Sequence, residues 1–344
     1  MKPKHPSDVI VVKLRSASLK LGPKDRTSMH IKALLILATF LFLWWALWLY
    51  QSESTTVRVF LAIAFGIAIV LGGFNIFHDV GHDTFFKSRI ANRRICFSVG
   101  VLFGANLKLW RDQHEHHHDH PNTPDDTDAE VPFLRLHKDQ KWKWYHKFQP
   151  YYAFILYTLG YFSWVMMRDI RRCLRGIPGV SKPMQGREKW KFFLEKTLYV
   201  LFMIGFPLYM DGYRALGLLG IIFITTGFCL ALIFQPAHIN TLSEAVDRSE
   251  AEKMGWVELQ LRTTMDFGTR SRFLSFLLGG LNFQAIHHIV RHTPHVKYRA
   301  MSAELARLAK ESGIPYHTNS FFGAIWSHVQ QLHAYGKRPA VIAA

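Results

Sequence analysis

The sequence predicts an all-α integral membrane protein with four transmembrane helices. Apolar residues make up 49% of the 344-residue chain and charged residues only 19%, whereas an ordinary soluble protein has about 25% charged residues. The apolar residues collect in long runs, and the excess positive charge, formally +17, collects between the runs. This pattern argues against a soluble globular enzyme and against a nucleic-acid-binding protein, because the basic residues flank apolar runs instead of forming one basic surface.

Four apolar runs are long enough to cross a bilayer, whose hydrocarbon core of about 30 Å takes roughly 20 helical residues. They are residues 31–50, 57–77, 192–210 and 215–234. The first run is too long, and starts too far into the chain, for a cleaved signal peptide. Only residues 211–214 separate the last two runs, so these two are expected to form a helical hairpin.

Two further apolar stretches, 95–107 and 148–167, are expected to lie at the membrane interface. The first is too short to cross the membrane. The second is followed by a loop, residues 168–191, with eight basic and two acidic residues, and such loops stay in the cytoplasm. A fifth span would place this loop outside and would put His238 on the opposite side from His78. We therefore expect four spans, with the N-terminal segment 1–30 and the C-terminal segment 301–344 in the cytoplasm.

The 19 histidines of the chain concentrate at four places, which this topology puts on one side of the membrane. His78 and His82 lie at the end of the second run, and their spacing of four residues puts both on one helical face, as two ligands of one metal require. His238 comes just after the fourth run. Each of these can instead be an ordinary interfacial histidine.

The segment HEHHHDH (114–120) holds five histidines, and helical geometry divides them between two faces. At about 100° per residue, His117 and His118 flank His114, whereas His116 and His120 point nearly the opposite way. The first face is the candidate metal site, and His116 with His120 is its rival. The alternative to both is a solvated histidine tract.

The sequence Gln284-Ala285-Ile286-His287-His288 repeats the spacing of the face His114, His117 and His118, with glutamine in the first position. Two distant segments with the same three-residue pattern suggest two halves of one site. A chance match in a His-rich chain is the alternative.

Eight imidazoles and one amide exceed the ligand set of a single ion, since a catalytic zinc takes three protein ligands. We therefore expect a cytoplasmic cap that holds a His-rich di-metal site, and imidazole suits iron, copper, zinc and nickel. The three cysteines are too few and too scattered for a disulfide framework or an iron–sulfur site. Four acids are expected to orient the ring nitrogens: Asp79, Asp119, Asp126 and Asp128.

The ordered set of motifs resembles the membrane fatty acid desaturases over about residues 60–300. The motifs are HDVGH (78–82), HEHHH (114–118) followed by Pro121, Asn122 and PDDTD, then FQPAH (234–238), GGLNFQAIHH (279–288) and HVKY (295–298). The Gln-x-x-His-His form of the last box is similar to the acyl-CoA and acyl-lipid branch that includes front-end desaturases. Where that branch has His-His-Leu-Phe-Pro, this chain has Ile289, Val290 and Arg291 after His288, and Lys297 replaces a frequent histidine. These departures leave the substrate subgroup open.

The resemblance implies that histidines from all four places ligate two iron ions, with Gln284 at or near the coordination shell. The implied ligands are His78, His82, His114, His117, His118, His238, His287 and His288. In HEHHH, which we call the second histidine box, the resemblance favours the face with His114, His117 and His118. His116 and His120 are disfavoured, because Asn122 falls where the family places asparagine when the first face is chosen. No catalytic residue beyond the metal centre is implied.

The resemblance also implies the activity: residues 31–300 form a desaturase domain that uses O2 and two electrons to introduce a cis double bond into a fatty acyl chain. The sequence shows no His-Pro-Gly-Gly signature of a fused cytochrome, so we expect a separate ferredoxin- or cytochrome-type electron donor. The basic loop 168–191 and the N-terminal segment are candidate docking surfaces for this donor or for phosphate on coenzyme A or lipid headgroups, and membrane topology with anionic-lipid contact is the alternative explanation of these charges. A bacterial inner membrane is the expected location. Two alternatives stay open: a hydroxylase or ketolase on the same di-iron site, and a His-rich metal transporter, which would need polar ligands inside its spans.

Overall fold

Four long helices dominate the computed structural model, which describes residues 6–19, 24–127 and 131–339. Within these ranges, four helices are long and apolar enough to cross a membrane: Arg26–Tyr50, Thr55–Gly81, Gly186–Asp211 and Arg214–His238. Each of them contains one of the four predicted runs. The prediction of an all-α membrane protein with four spans is therefore confirmed.

The four spans are longer than the apolar runs because the helical conformation continues through polar residues at their ends. The first span begins at Arg26, whose guanidinium donates a hydrogen bond to the carbonyl oxygen of Thr84 at 2.7 Å. The fourth span continues through Pro236, which has no N–H to donate, and ends at His238. The histidine expected just beyond this span is thus the last residue of its helix.

Three of the spans contain a π-helical turn, in which hydrogen bonds join residues five apart instead of four. These turns are Ala46–Tyr50, Gly73–Phe77 and Leu201–Gly205. The turn Gly73–Phe77 directly precedes His78, so it sets the direction in which the first histidine pair points.

The other helices are shorter, and the strands form a single small parallel pair in which Met265 lies opposite His317. The helices are Val9–Leu19, Arg89–Phe103, Leu107–Asp119, Gln149–Thr158, Gly160–Ser163, Asp169–Arg175, Arg248–Ala251, Trp256–Thr263, Arg272–Leu277, Gln284–Ile289, Tyr298–Glu311 and Phe321–Gly336. Short 3-10 turns lie at Pro6–Asp8, Trp144–Phe148 and His295–Lys297, a further π turn at Trp164–Arg168, and the strands are Met265–Phe267 and His317–Asn319.

The chain divides into two compact units. We call the first the spanning unit, which comprises Pro23–Gln113 and Tyr157–Ala231. We call the second the histidine unit, which comprises Met1–Gly22, His114–Leu156 and Leu232–Ala344.

Large apolar side chains form the core of the spanning unit, among them Phe40, Leu47, Trp48, Phe65 and Tyr199. The outer faces of the spans are apolar as well, for example at the exposed side chains Leu34, Phe42 and Phe60. A helix that is apolar all round is typical of a membrane span.

Four buried polar side chains lie together inside the spanning unit, and we call them the ionic cluster: Asn106, Asp169, Glu195 and Lys196. The Lys196 ammonium donates to Asp169 Oδ2 at 2.7 Å and to two backbone carbonyl oxygens. The Asn106 backbone N–H donates to the same Asp169 oxygen at 2.9 Å, and its side-chain amide donates to Glu195 Oε1 at 3.1 Å. Asn106 Oδ1 accepts from the N–H of Leu109, so Asn106 caps the helix Leu107–Asp119 that carries the second histidine box.

The core of the histidine unit joins the N-terminal helix Val9–Leu19 to the helix Tyr298–Glu311. Ile10 and Leu14 are buried in one apolar cluster with Leu305 and with Ile286 of the helix Gln284–Ile289, which carries the third histidine box. The back of the third-box helix is thus covered by apolar side chains, and its histidines lie on the remaining side.

The two stretches that were ambiguous in the sequence do not form long apolar helices of the kind that spans a membrane. Residues 95–107 fall in the helix Arg89–Phe103, which ends at Gly104 in a left-handed conformation with φ +75°. Residues 148–167 form short helices that expose Tyr151, Ile155, Leu159 and Phe162, spaced three or four residues apart. This apolar stripe supports an interfacial position for 148–167, which stays a prediction.

Candidate metal centre

The helix Leu107–Asp119 presents its five-histidine segment in two sets, as helical periodicity requires. His114, His117 and His118 are buried, and His118 has no exposed surface. His116 and His120 are only partly buried and lie together, with ring centroids 4.7 Å apart. The structure therefore separates the candidate face from its rival.

The first histidine pair belongs to the spanning unit. The rings of His78 and His82 lie 4.6 Å apart between centroids, and both contact Trp110, at 5.7 and 5.5 Å. Gly81 makes this packing possible, because a Cβ atom there would lie 2.1 Å from the Trp110 ring. The pair is thus fixed on one face by the helical spacing and by the tryptophan beside it.

Three imidazoles of the histidine unit converge, and we call them the histidine triad: His117, His238 and His288. Their ring centroids lie 4.7, 5.1 and 4.9 Å apart, pair by pair. One ring nitrogen of each lies within 4.8 Å of those of the other two, a distance at which all three can reach one metal ion.

Each ring of the histidine triad uses its Nδ1 atom for a hydrogen bond to a protein oxygen. His117 Nδ1 lies 2.9 Å from Asp126 Oδ1, and His238 Nδ1 lies 3.3 Å from the carbonyl oxygen of Thr263. His288 Nδ1 lies 2.8 Å from Gln260 Oε1. Because these oxygens only accept, each Nδ1 carries a proton, and in a neutral ring the Nε2 atom then carries the lone pair.

The orientation of the Gln260 amide is itself fixed, since its nitrogen donates to the carbonyl oxygen of His118 at 2.9 Å. The Nε2 atom of His288 is buried and has no hydrogen-bond partner within the described residues. Burial, reinforced by the neighbouring imidazoles, lowers the pKa of His288 well below its usual value, so the ring is neutral. A neutral ring whose Nδ1 atom is hydrogen-bonded to a protein oxygen, as in His288, is the arrangement that metal-ligating histidines adopt.

A second set in the same unit consists of His114, His118 and His287. The Nε2 atoms of His114 and His118 lie 3.1 Å apart, and the rings of His118 and His287 lie 4.6 Å apart. His287 Nδ1 lies 3.1 Å from the Tyr298 hydroxyl. Gln284 is buried on the third-box helix, and its amide nitrogen donates to the carbonyl oxygen of Leu281 at 2.6 Å.

The acids that were expected to orient ring nitrogens behave differently from one another. Asp126 does so for His117, and its second oxygen accepts from the N–H of Asn122 at 2.8 Å. Asp119 does not fit the expectation, because it is half-exposed and pairs with Arg291 at 3.1 Å. Asp79 is buried and accepts from the Thr84 hydroxyl at 3.3 Å, and Asp128 lies outside the described residues.

Several residues around the histidines were not identified from the sequence. Gln260 and Thr263 belong to no motif, and Tyr298, although it ends the motif HVKY, was given no role, since only the tertiary fold brings these residues to the rings. Asn122, which the sequence did single out, adopts a left-handed backbone with φ +51°, and its amide donates to the carbonyl oxygens of His238 at 3.3 Å and Glu244 at 2.7 Å. It joins the loop after the second box to the end of the fourth span.

Asp266 is a further buried group that sequence reasoning missed. It accepts from the N–H of Ala285 at 2.8 Å and from the Tyr316 hydroxyl, so it holds the start of the third-box helix. Complete burial raises the pKa of Asp266 to about 7. Its signal in the sequence was the lone acid of the segment Met265–Phe267, between apolar neighbours.

The fold and the site together define an integral membrane protein with a histidine cluster that can bind metal. A family model described as Fatty acid desaturase matches residues 54–320. The chain therefore belongs to the fatty acid desaturase family, and it is an oxidoreductase that desaturates fatty acyl chains, as the sequence predicted.

The chain is also similar to individual proteins that are named as desaturases. The chain is 30% identical over 350 residues to the acyl-lipid (8-3)-desaturase of Physcomitrium patens, with 95% of this chain and 71% of that protein covered. It is 28% identical over 329 residues to the sn-1 linoleoyl-lipid 6-desaturase of Synechocystis sp., with 92% and 91% covered. It is also 28% identical over 306 residues to the Delta(5) fatty acid desaturase A of Dictyostelium discoideum, with 84% and 66% covered.

Proposed function

We propose that this protein is a di-iron, O2-dependent desaturase whose histidine triad holds one of the two irons. The observation that carries the proposal is the convergence of three imidazoles, each with its Nδ1 atom hydrogen-bonded to a protein oxygen and with one ring nitrogen within 4.8 Å of those of the other two. Imidazole donors suit iron.

The other histidines of the boxes are proposed to hold the second iron, as the resemblance to the family implies, with Gln284 near it. The proposed ligands are His78, His82, His114, His118 and His287. Within each unit the members lie close together, since the rings of His78 and His82, and those of His118 and His287, are 4.6 Å apart.

Bound iron supplies the reduction of dioxygen that accompanies removal of two hydrogens from adjacent methylenes, with two electrons and two protons completing the formation of water. The side chains around it have orienting roles. Gln260, Asp126 and the Thr263 carbonyl fix the ring directions, and the neutral state of His288 keeps its nitrogen free for the metal. No side chain is needed as a nucleophile.

The substrate is proposed to be an acyl chain carried on a membrane lipid, because relatives from a moss and a cyanobacterium are named for acyl-lipid substrates. The electrons are proposed to come from a separate ferredoxin- or cytochrome-type protein. The basic loop 168–191 supports such docking, since Arg171, Arg175, Lys182 and Arg187 are exposed.

The membrane is proposed to be a bacterial inner membrane, with the metal site and both termini on the cytoplasmic side. Reporter fusions at residues 180 and 260 test the topology, and both reporters should be cytoplasmic. An external signal at 180 would mean that 148–167 crosses the membrane, and the four-span orientation would then be wrong.

Iron analysis of the purified protein, combined with mass spectrometry of lipids from expressing cells, tests the chemistry. The wild type should bind two irons per chain and yield lipids that have lost two hydrogens. His288→Ala should lose iron and activity together. One iron per chain would contradict the di-iron proposal, and a product that gains oxygen would replace desaturation by hydroxylase or ketolase chemistry.

A further inference from the structure

An aromatic surface lies outside the metal site, on the part of the histidine unit that follows the fourth span. Phe273 and Phe276, on the helix Arg272–Leu277, are 71% and 56% exposed. Phe322 and Trp326, four residues apart on the helix Phe321–Gly336, are 80% and 62% exposed. Side chains of this size are seldom so exposed in a group unless another surface covers them.

The two helices are neighbours, so their exposed rings form one surface. Leu274 and Phe321 both lie within 4 Å of the position that a Cβ atom on Gly268 would take. The N–H of Gly268 donates to the carbonyl oxygen of Asn319 at 2.9 Å, which joins the two segments through their backbones. We call Phe273, Phe276, Phe322 and Trp326 the aromatic surface.

Hydrogen bonds tie the aromatic surface to the point where the chain leaves the membrane. Ser327 Oγ accepts from the N–H of Thr241 at 3.0 Å, and His328 Nδ1 lies 2.6 Å from the carbonyl oxygen of Ile239. Ile239 directly follows His238, the last residue of the fourth span. Trp326 is therefore adjacent in sequence to Ser327 and His328, which are hydrogen-bonded to the residues just after the fourth span.

The composition of the surrounding sequence matches a membrane interface. Arg270 and Arg272 directly precede Phe273, and both are exposed. Arginine beside aromatic rings is typical of segments that place rings at the level of the lipid headgroups and guanidinium groups on their phosphates. The second half of the other helix, Phe321–Gly336, is polar on its exposed side, at Gln330 and His333. The exposed apolar residues of this helix are therefore confined to its first turns.

We propose that the aromatic surface lies in the interfacial layer of the bilayer, beside the cytoplasmic end of the fourth span, with Arg270 and Arg272 on lipid phosphates. The occupant of this surface is thus lipid, and the C-terminal helix Phe321–Gly336 is an in-plane membrane element in addition to the four spans. The assignment is independent of the identity of the metal.

Tryptophan fluorescence in lipid nanodiscs tests the proposal, with lipids brominated near the glycerol end of the acyl chains as the quencher. The emission of Trp326 is obtained as the difference between wild type and Trp326→Phe. The matched control is Trp142→Phe, because the Trp142 ring donates to the carbonyl oxygen of Gly336 at the polar end of the same helix. Trp326 emission should be lost in brominated lipid and protected from aqueous iodide, whereas Trp142 emission should be insensitive to bromine.

Two outcomes would overturn the proposal. Emission of Trp326 that iodide quenches and brominated lipid does not would place the aromatic surface in water. Emission that resists both quenchers would place it against protein, and cross-linking between chains would then identify a second copy as the partner. Since Trp326→Phe keeps an aromatic ring, bound iron and activity in this variant show whether the fold is intact.

Discussion

The ionic cluster and the histidine triad are both buried, but their hydrogen-bonding patterns are opposite. In the ionic cluster of the spanning unit, the Lys196 ammonium and the Asn106 amide donate to carboxylate and carbonyl oxygens, so donors meet acceptors. In the histidine triad, each ring bonds an outside oxygen through Nδ1, and the three rings offer nitrogens within 4.8 Å of one another. Pairing of donor with acceptor is typical of a structural cluster, whereas convergence of three imidazoles is the arrangement that can hold a cation.

The comparison predicts that the two clusters fail differently. Loss of a ligand from the histidine triad should remove metal and leave the fold, because burial of apolar side chains holds the unit together. Loss of a charge from the ionic cluster should lower the stability of the fold, whereas the metal affinity of the molecules that remain folded should be unchanged. The following substitutions test this difference, from the largest expected effect to the smallest.

His117→Ala should lower turnover by more than about 100-fold, beyond the range for residues that only orient a ligand. His116→Ala is the matched control, since His116 lies on the same helix but pairs with His120 on the other face. Turnover and bound iron, measured for both variants, check this expectation. A larger loss in His116→Ala would mean that the rival face binds the metal.

Lys196→Met should destabilise the spanning unit by about 3–5 kcal/mol, because it leaves the fully buried Asp169 carboxylate without its counter-charge. Thermal unfolding in detergent measures the loss, and iron per folded molecule should stay at the wild-type value. Combining Lys196→Met with Asp169→Asn removes both charges and keeps an acceptor for the Asn106 N–H, so part of the stability should return. No loss in the single variant would contradict the structural role of the cluster.

Gln260→Ala should weaken iron binding by roughly 10–100-fold, as is typical when a group that orients a metal ligand is removed. The His288 ring loses its acceptor and is then free to rotate or to change tautomer. Iron titration of the apoprotein measures the effect, with Gln331→Ala on the partly exposed side of the C-terminal helix as a control. An affinity equal to that of the wild type would show that the amide does not orient the ring.

The spans and the histidine faces could be predicted because both depend on local periodicity. Runs of apolar residues mark the four spans, and a spacing of three or four residues puts His114, His117 and His118 on one face. The span ends could not be predicted, since Arg26 and His238 are polar residues inside helices whose continuation depends on tertiary hydrogen bonds. The ligand role of Gln284 stays a prediction.

Most of the residues that orient the histidine rings could not be predicted from the sequence, for a different reason. Gln260 and Tyr298 reach the histidines only through the packing of the helices that carry them, and amides and tyrosines occur in many other roles. Asp126, eight residues after His118, was predicted correctly, whereas Asp119, which directly follows His118, turns outward to Arg291. Proximity along the chain is thus a weak guide to which carboxylate faces a ring.

The π-helical turn Gly73–Phe77 makes the first histidine pair sensitive to residue number more than to residue type. Deleting one residue there would restore ordinary α-helical hydrogen bonding, because a π turn holds one residue more than an α-helical turn, and His78 and His82 would keep nearly the same direction around the helix axis. The shortened segment would still be as apolar and would still insert. Substitutions among apolar residues and the loss of one residue are therefore tolerable at this turn, whereas insertion of a further residue would rotate both imidazoles by about 100°, away from Trp110.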